Sequence, residues 1–363
     1  MQQSKESTLM KPSLSGAAVE VRAAGFPFST GQPRPSPIRS EVARRREVAL
    51  LSALALLVAM GSFVSPNFLA RANLVNVLAA TSVLALVVLA ESLIVLVGQF
   101  DLSLASTFGL APAVGVMLVM SAGSGGLGWA WPAAALAVVL AVGAMIGWIN
   151  GLLVVRLRLN AFVATLAMLI VLRGVLAGVT RGGAAFVLPP SVRTLAAASA
   201  LGLPMSVWFA AASFAAAAFM LRYHRLGRAL YAIGGSREAA RAAGIRVERI
   251  VWGVFVIGGV LAAAGGVAAA GYGGVAAAGY GGAIDASGRG DMIFTVVAAA
   301  VVGGISLDGG KGSILGALVG AMLLGVAQNL LTLAHVPSFW VQAIYGALIL
   351  AALMSTKLTG GDA

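Results

Sequence analysis

The sequence has no cysteine, only two histidines and few charged residues for its length. The absence of cysteine excludes disulfide bonds and thiolate zinc sites, and His224 and His335 alone are too few for a histidine metal centre. Charged residues make up 10% of the 363 residues and hydrophobic residues 60%, whereas about 25% of a typical soluble chain is charged. The composition therefore argues against a soluble enzyme and predicts a protein whose apolar surface faces lipid.

Long stretches without charge predict membrane-spanning helices, since a helix needs about 20 mostly apolar residues to cross a bilayer. The longest of these stretches, residues 102–155, is too long for one helix and is divided by a glycine-rich turn at 121–128. The third segment, which Pro112 interrupts, and the short eighth segment are candidates for broken or re-entrant helices. We predict an all-α polytopic membrane protein with about ten transmembrane helices. The segments are 48–65, 74–97, 103–121, 131–155, 161–180, 204–221, 250–270, 291–306, 313–333 and 339–356.

The distribution of lysine and arginine predicts the orientation, because cytoplasmic loops carry an excess of both. With ten spans and a cytoplasmic N-terminus, the inner segments hold 19 basic residues and the outer loops four. This split predicts cytoplasmic termini and explains the net charge of +12 without a nucleic-acid partner. The predicted domains are a disordered, proline-rich basic tail at 1–47, a transmembrane domain at 48–356 and a short cytoplasmic tail at 357–363.

The predicted cytoplasmic loop 222–249 contains a compact helix signal. Ser236 suits an N-cap, the run 237–242 is rich in helix formers, and Gly244 suits a C-terminal stop. The sequence therefore predicts a short helix of about two turns that lies parallel to the membrane. A second local feature is the exact tandem repeat of eight residues over 265–280, which should lengthen the outer end of the seventh span or its following loop.

Few polar residues in the predicted spans are candidates for function, because such groups are costly at membrane depth. Glu91 and Arg173 are the charged ones, and Asn150, Thr165 and Asn329 are uncharged candidates for the translocation path. Glu91 is interpreted either as a coupling or gating acid or as a buried acid satisfied by a neighbouring helix, for which Arg173 is a possible partner. Arg173 itself suits helix pairing or snorkelling to an interface.

No enzymatic activity is expected from these residues. No nucleophile, base and acid form a catalytic set, and no Gly-x-x-x-x-Gly-Lys-Ser/Thr motif is present to bind ATP. Asp101, ahead of the third segment, is interpreted as a helix N-terminal acid that complements the helix dipole. No catalytic residue, metal or cofactor is predicted.

Five segments in collinear order resemble the membrane subunits of bacterial ABC importers for monosaccharides, the ribose-type permeases. The segments are Val97-Gly-Gln-Phe-Asp-Leu-Ser103; Asn150-Gly-Leu-Leu153 with Phe162–Leu166 and Leu172-Arg-Gly174; Gly227–Gly235; Glu238–Ile245; and Gly303–Gly312 with Gly316 and Ser338-Phe-Trp340. The resemblance covers about residues 48–356. Gln99 and Ala105 depart from glycines of that family, which weakens any inference about which sugar is carried.

The resemblance implies partners and a role for the cytoplasmic loop. Residues Gly235, Glu238, Ala239, Ala240 and Gly244 match the element that couples such permeases to a separate ATPase subunit. It also implies a location in the bacterial inner membrane, a homodimer of this chain and a periplasmic solute-binding protein that delivers a monosaccharide. Two alternatives remain at this point: an ABC permease for branched-chain amino acids or nucleosides, and an ion-coupled secondary transporter that uses Glu91.

Overall fold

The computed structural model describes residues 37–121, 131–181, 185–187, 198–276, 283–285 and 292–337, with single helical positions between 340 and 354. The chain divides into two units, residues 1–43 and 44–363, and in the first of these only the helical backbone from Pro37 is described. The helices of the described residues are α1 (Pro37–Val64), α2 (Arg71–Leu96), α3 (Leu104–Ser121), α4 (Trp131–Gly151), α5 (Ala161–Val179), α6 (Met205–Tyr223), α7 (Arg225–Gly235), α8 (Arg237–Ala242), α9 (Val247–Ala276), α10 (Met292–Val302) and α11 (Ile314–Leu333). A π-helical turn, Leu152–Arg156, continues α4.

Six helices of the described residues are long and apolar enough to cross a membrane. Their spanning parts are Arg71–Leu96, Ala133–Arg156, Ala161–Val179, Met205–Tyr223, Val247–Ala270 and Ile314–Leu333. Shorter apolar stretches of helix cover Val48–Val64, Leu104–Gly115 and Met292–Val302, so the third and eighth predicted segments are helical. The structure therefore confirms a mostly helical membrane protein with six candidate spans among the described residues, and it does not confirm the predicted count of about ten.

The fold is not purely helical, because loops between spans also pair as short strands. β1 (Ala185–Val187) pairs antiparallel with β4 (Ala283–Asp285), and β2 (Ser199–Ala200) pairs with β3 (Leu203–Pro204). β1 and β2 lie between α5 and α6, and β4 lies between α9 and α10. Backbone groups in loops need hydrogen-bond partners as much as those in helices do, and strand pairing supplies them.

The second span, α2, forms the centre of the bundle. It packs against α6, α9, α10 and α11, and nearly every residue from Ala85 to Val97 is buried. The least buried span is α5, whose outer face exposes Phe162, Leu166 and Ile170. A helix that is apolar on all sides must be surrounded by protein or by lipid. The difference in burial therefore places α2 in the protein core and α5 at the edge of the bundle.

Glycines bring the backbones of α4 and α9 into direct contact. Gly143 and Gly147 lie one turn apart on α4, and a Cβ on Gly147 would overlap the Phe255 carbonyl oxygen of α9. A Cβ on Gly259 of α9 would in turn overlap the Gly143 carbonyl oxygen. Small residues permit such backbone contact between membrane helices, where van der Waals packing drives association.

Pro112 does not end α3, contrary to the interruption that the sequence suggested. The helix continues from Leu104 to Ser121 with Pro112 inside it. Proline has no N–H, so the Phe108 carbonyl lacks its intrahelical donor. Gly266 of α9 covers that carbonyl so closely that a Cβ there would overlap the Phe108 oxygen. Protein therefore surrounds the interrupted backbone, which is the condition for tolerating it in a membrane.

The tandem repeat lies at the end of α9. The helix includes the whole first copy, Gly265–Tyr272, and reaches Ala276 within the second. The predicted lengthening of this helix is therefore seen as far as Ala276. The rest of the second copy lies outside the described residues.

Loops that the ten-span threading assigns to one face contact each other in the structure. At one end, the Gly310 amide donates to the Leu96 carbonyl at 2.9 Å, and the Tyr231 hydroxyl donates to the Gly312 carbonyl at 2.9 Å. At the other end, β1 pairs with β4. In each case the contact joins loops that the predicted threading places on the same side of the membrane.

Candidate functional site

A buried polar cluster lies where α2, α3, α4 and α5 meet. We call it the Asp101 cluster; its members are Glu91, Asp101, Ser103, Asn150 and Thr165, and each is at most 1% exposed. The residues come from α2, the α2–α3 turn, the last turn of α4 and the N-terminal half of α5. Apolar core residues surround them, so each polar atom needs a partner within the cluster.

Asp101 is the central acceptor of the cluster. Its Oδ1 accepts from the Ser103 amide at 2.9 Å and from the Ser103 hydroxyl at 2.6 Å, and its Oδ2 accepts from the Asn150 amide group at 3.0 Å. The Asn150 amide group also donates to the Ser103 hydroxyl oxygen at 2.7 Å. Asp101 thus lies just before α3, where the sequence placed it, and its carboxylate accepts from the backbone amide of Ser103, the residue that precedes the helix.

Thr165 joins α5 to the same turn. Its hydroxyl donates to the Ala161 carbonyl at 2.8 Å, while its oxygen accepts from the Leu102 amide at 3.1 Å. Two of the three predicted path residues, Asn150 and Thr165, therefore come together around Asp101. Both are closed off from solvent in this conformation and hold helices in place.

Asn329, the third predicted path residue, lies elsewhere and has a different partner. Asn329 of α11 and Asn73 of α2 exchange two hydrogen bonds between their side-chain amides, at 2.8 and 2.9 Å. Asn73 also donates to the Phe68 carbonyl at 2.8 Å, which fixes the turn before α2. This pair ties two spans together at the start of α2, far along that helix from Glu91.

Glu91 does not pair with Arg173, the partner that the sequence suggested. Its Oε1 accepts from the Asp101 amide at 3.4 Å, and its Oε2 has no partner among the described residues. Arg173 lies on the exposed side of α5, whereas Glu91 is fully buried in α2. The neighbour of Glu91 is therefore a second acid from the next turn, because the α2–α3 turn folds back onto the last turns of α2.

The predicted cytoplasmic helix is present as α8, Arg237–Ala242. The Ser236 hydroxyl oxygen accepts from the Ala239 amide at 3.2 Å, which confirms the predicted N-cap. Gly244 has φ +78°, the left-handed conformation of a helix C-terminal stop, and a Cβ there would meet no atom within 4 Å. The sequence signal of a cap and a glycine thus predicted both ends of this helix.

The members of this loop differ in exposure. Ala240 is buried at 2% exposure, whereas Gly235, Glu238, Ala239 and Gly244 are exposed. Arg241 and Glu248 form a surface ion pair at 2.8 Å, which joins α8 to the start of α9. Partial burial lowers the pKa of the Arg237 guanidinium from its usual value, and the neighbouring Arg241 lowers it further. The loop is therefore an anchored helix with small and charged side chains on its open side.

Sequence reasoning missed the contacts made by backbone glycines. Gly98, Gly234 and Gly309 come into contact where the end of α2, the end of α7 and the α10–α11 loop meet. Each lies in a segment quoted for the family resemblance, but nothing in the sequence indicates that the segments touch. Within the described residues, no group of three or more histidine, cysteine or acidic side chains is placed to hold a metal ion.

Comparison with known proteins identifies relatives over most of the chain. It is 36% identical over 315 residues to the ribose import permease protein of Escherichia coli (strain K12), a match that covers 84% of this chain and 91% of that protein. It is 31% identical over 299 residues to the L-arabinose ABC transporter permease protein of Azospirillum brasilense, with 82% and 84% covered. It is 32% identical over 313 residues to the autoinducer 2 import system permease protein of Shigella flexneri, with 86% and 87% covered. No solved structure matches the chain significantly.

These relatives are transport permeases, and they confirm the resemblance that the five sequence segments indicated. The apolar helices agree with them, so the protein is a multi-pass membrane protein. Residues 73–353 match the family described as branched-chain amino acid transport system / permease component, and the chain belongs to that family.

Proposed function

We propose that this chain is the membrane-spanning subunit of an ATP-binding-cassette importer that carries a monosaccharide across the bacterial inner membrane. The 36% identity to a ribose import permease over 84% of the chain is the observation that carries the proposal. A second relative is named for L-arabinose, so two of the matched proteins are sugar permeases although the family description names branched-chain amino acids. The subunit performs no bond chemistry, and ATP hydrolysis belongs to a separate ATPase subunit.

The surface proposed to receive the ATPase is α8 with its flanking glycines. Gly235, Glu238, Ala239 and Gly244 are exposed, while Ala240 anchors the helix to the bundle. The Ser236 cap fixes the helix start. A short helix with alanines on its open side can enter a groove of a partner closely, and its anchored side moves the bundle when the partner moves it.

The proposed orientation places α7 and α8 in the cytoplasm. The excess of basic residues in 222–249 supports this, because short cytoplasmic loops carry such an excess. Loops of the same predicted face also meet in the structure at Leu96, Tyr231 and Gly312. Since the chain has no cysteine, a single cysteine at Arg237 can test the orientation: an impermeant thiol reagent outside intact spheroplasts should leave it unlabelled. Labelling from outside would refute this orientation.

The proposed assembly is a homodimer of this chain with two ATPase copies and a periplasmic solute-binding protein. Each chain supplies one α8, so two chains match an ATPase pair. The apolar face of α5, with Phe162, Leu166 and Ile170, is exposed in the single chain and would contact lipid or the second chain.

Asn150, Thr165 and Asn329 remain the proposed residues of the translocation path. A solute could reach Asn150 and Thr165 only if α4 and α5 moved away from the α2–α3 turn.

Reconstituted transport tests the proposed function. The chain, co-expressed with its ATPase and supplied with the binding protein, is placed in proteoliposomes and given radiolabelled D-ribose, L-arabinose or L-leucine. The proposal expects pentose uptake that requires both ATP and the binding protein. Uptake of leucine alone would favour the amino-acid alternative, and pentose uptake by this chain without the ATPase, driven by a proton or sodium gradient, would favour the Glu91 alternative.

A further inference from the structure

Three backbone segments meet at one point near the proposed cytoplasmic end of the bundle. We call this point the glycine junction; it consists of Leu96 and Gly98 at the end of α2, Gly234 at the end of α7, and Gly309 and Gly310 of the α10–α11 loop. The Gly310 amide donates to the Leu96 carbonyl at 2.9 Å, which joins the loop to α2. None of the three segments is adjacent in sequence to another.

The glycine junction leaves no room for a side chain at Gly234, Gly309 or Gly310. A Cβ on Gly234 would overlap both the Leu96 carbonyl oxygen and the Gly310 amide nitrogen. A Cβ on Gly309 would lie 2.7 Å from the Gly98 nitrogen and 3.2 Å from the Gly234 Cα. Gly98, Gly309 and Gly310 also have positive φ angles, of +67°, +84° and +68°. Residues other than glycine adopt such backbone angles only at a cost in free energy. The three segments therefore contact one another backbone to backbone.

The α7 side of the glycine junction has a second attachment. The Tyr231 hydroxyl, one turn before Gly234, donates to the Gly312 carbonyl at 2.9 Å. This bond and the Gly234 contact hold α7 to the α10–α11 loop at two points. A displacement of α7 must therefore move that loop and the end of α2, because sliding would break the hydrogen bond or force backbone atoms to overlap.

The glycine junction lies between the proposed ATPase surface and the Asp101 cluster. Ser236, the N-cap of α8, follows Gly234 by two residues, and Asp101 follows Gly98 by three. The short segment between Gly98 and Asp101 is itself held, because Thr165 of α5 contacts the Phe100 carbonyl at 3.4 Å and the Leu102 amide at 3.1 Å. A shift of Gly98 thus acts directly on the turn that carries Asp101.

We propose that the glycine junction transmits the displacement of α8 to the Asp101 cluster, so that Gly234, Gly309 and Gly310 are positioning residues for transport. The inference rests on the proposed function, since it takes α8 as the surface that an ATPase moves. It adds the route: α8 moves α7, Gly234 moves the end of α2, and the α2–α3 turn moves α4 and α5 through Asn150 and Thr165. The junction acts through backbone contact and touches no solute.

The experiment compares Gly234→Ala with the wild type in the full complex of permease, ATPase and binding protein in proteoliposomes. Three quantities are measured: ATPase retained on affinity-tagged permease, ATP hydrolysed, and pentose taken up, with D-ribose and L-arabinose as the probes. Gly253→Ala of α9 is the matched control, because it is also a helical glycine and a Cβ there meets no atom within 4 Å.

The expected result is a selective loss of coupling. Gly234→Ala should retain the ATPase and hydrolyse ATP, yet transport about tenfold less pentose per ATP, within the range of allosteric coupling. A merely structural defect would lower uptake and hydrolysis together and leave their ratio unchanged. Gly253→Ala should keep the wild-type ratio. A wild-type ratio in Gly234→Ala would overturn the inference, and so would loss of ATPase retention, since the residue would then hold the docking surface.

A milder variant decides the question if Gly234→Ala does not insert or fold. Tyr231→Phe keeps the aromatic ring and removes only the hydrogen bond to Gly312. It should lower pentose transported per ATP by about threefold, the effect of one modest hydrogen bond. An unchanged ratio in a well-folded Tyr231→Phe complex would overturn the inference. Absence of ATP-dependent pentose uptake by the wild-type complex is a different result, because it refutes the proposed function itself.

Discussion

Replacing Asn150 with alanine should destabilise the helix bundle by about 2–4 kcal/mol. The substitution removes the donors to Asp101 Oδ2 at 3.0 Å and to the Ser103 hydroxyl at 2.7 Å. A hydrogen bond to a charged acceptor contributes about 1.5–3 kcal/mol, and a neutral one between membrane helices about 0.6 kcal/mol. The Asn150 Oδ1 atom is buried and has no hydrogen-bond partner among the described residues. Its removal therefore breaks no bond and relieves the cost of burying that oxygen, which offsets part of the destabilisation.

The measurement is a reversible SDS titration of the purified protein in mixed detergent micelles, followed by circular dichroism, with wild type and variant compared. Asn329→Ala is the matched control, because it also removes a side-chain amide between two spans, but from a half-buried neutral pair with Asn73. Its cost should be smaller, about 1 kcal/mol. Equal effects of the two variants, or a change below about 0.5 kcal/mol for Asn150→Ala, would refute the view that the buried carboxylate dominates the cluster.

Three further changes test other parts of the structure. Gly147→Leu should destabilise the same bundle by about 3 kcal/mol in the SDS titration, because its side chain overlaps Phe255; a neutral result would refute the close α4–α9 contact. Gly244→Val should lower the amount of ATPase retained on the permease, because φ +78° disfavours a β-branched residue, and full retention would count against docking at α8. Glu91→Gln should preserve both stability and ATP-driven uptake, because it keeps the acceptor for the Asp101 amide; loss of uptake in a stable protein would restore Glu91 as a coupling acid.

The sequence predicted those features whose causes are local along the chain. Ser236 and Gly244 mark the two ends of α8, and a cap and a left-handed glycine depend on only a few neighbouring residues. Hydropathy likewise found the six long spans, because the length and polarity of a segment decide whether it can cross a bilayer. The count of about ten is not confirmed, since a charge gap cannot distinguish a full span from a shorter apolar helix such as Met292–Val302.

The partners of the polar residues could not be predicted, because they depend on which helices touch. Asn150 and Asp101 are 49 positions apart, and Asn329 and Asn73 are 256 apart. Hydrophobic periodicity gives little help here, since membrane helices that are apolar all round do not indicate which face meets which neighbour. The suggested Glu91–Arg173 pair was wrong for this reason. Opposite charges attract, but Glu91 lies on a buried face of α2 and Arg173 on an exposed face of α5.

The burial of the polar residues also bears on where a solute could pass. The Asp101 cluster is closed on all sides, and its donors and acceptors hold the α2–α3 turn to α4 and α5. A polar solute could replace those contacts only if the turn moved, because a carboxylate cannot lose its donors at this depth without a large cost. Among the described residues, Gly234, Gly309 and Gly310 make close backbone contacts between α7, the α10–α11 loop and the end of α2, beside this turn. The proposed coupling links α8 to this cluster: displacement of α8 by the ATPase would shift the α2–α3 turn and release the contacts that close the Asp101 cluster.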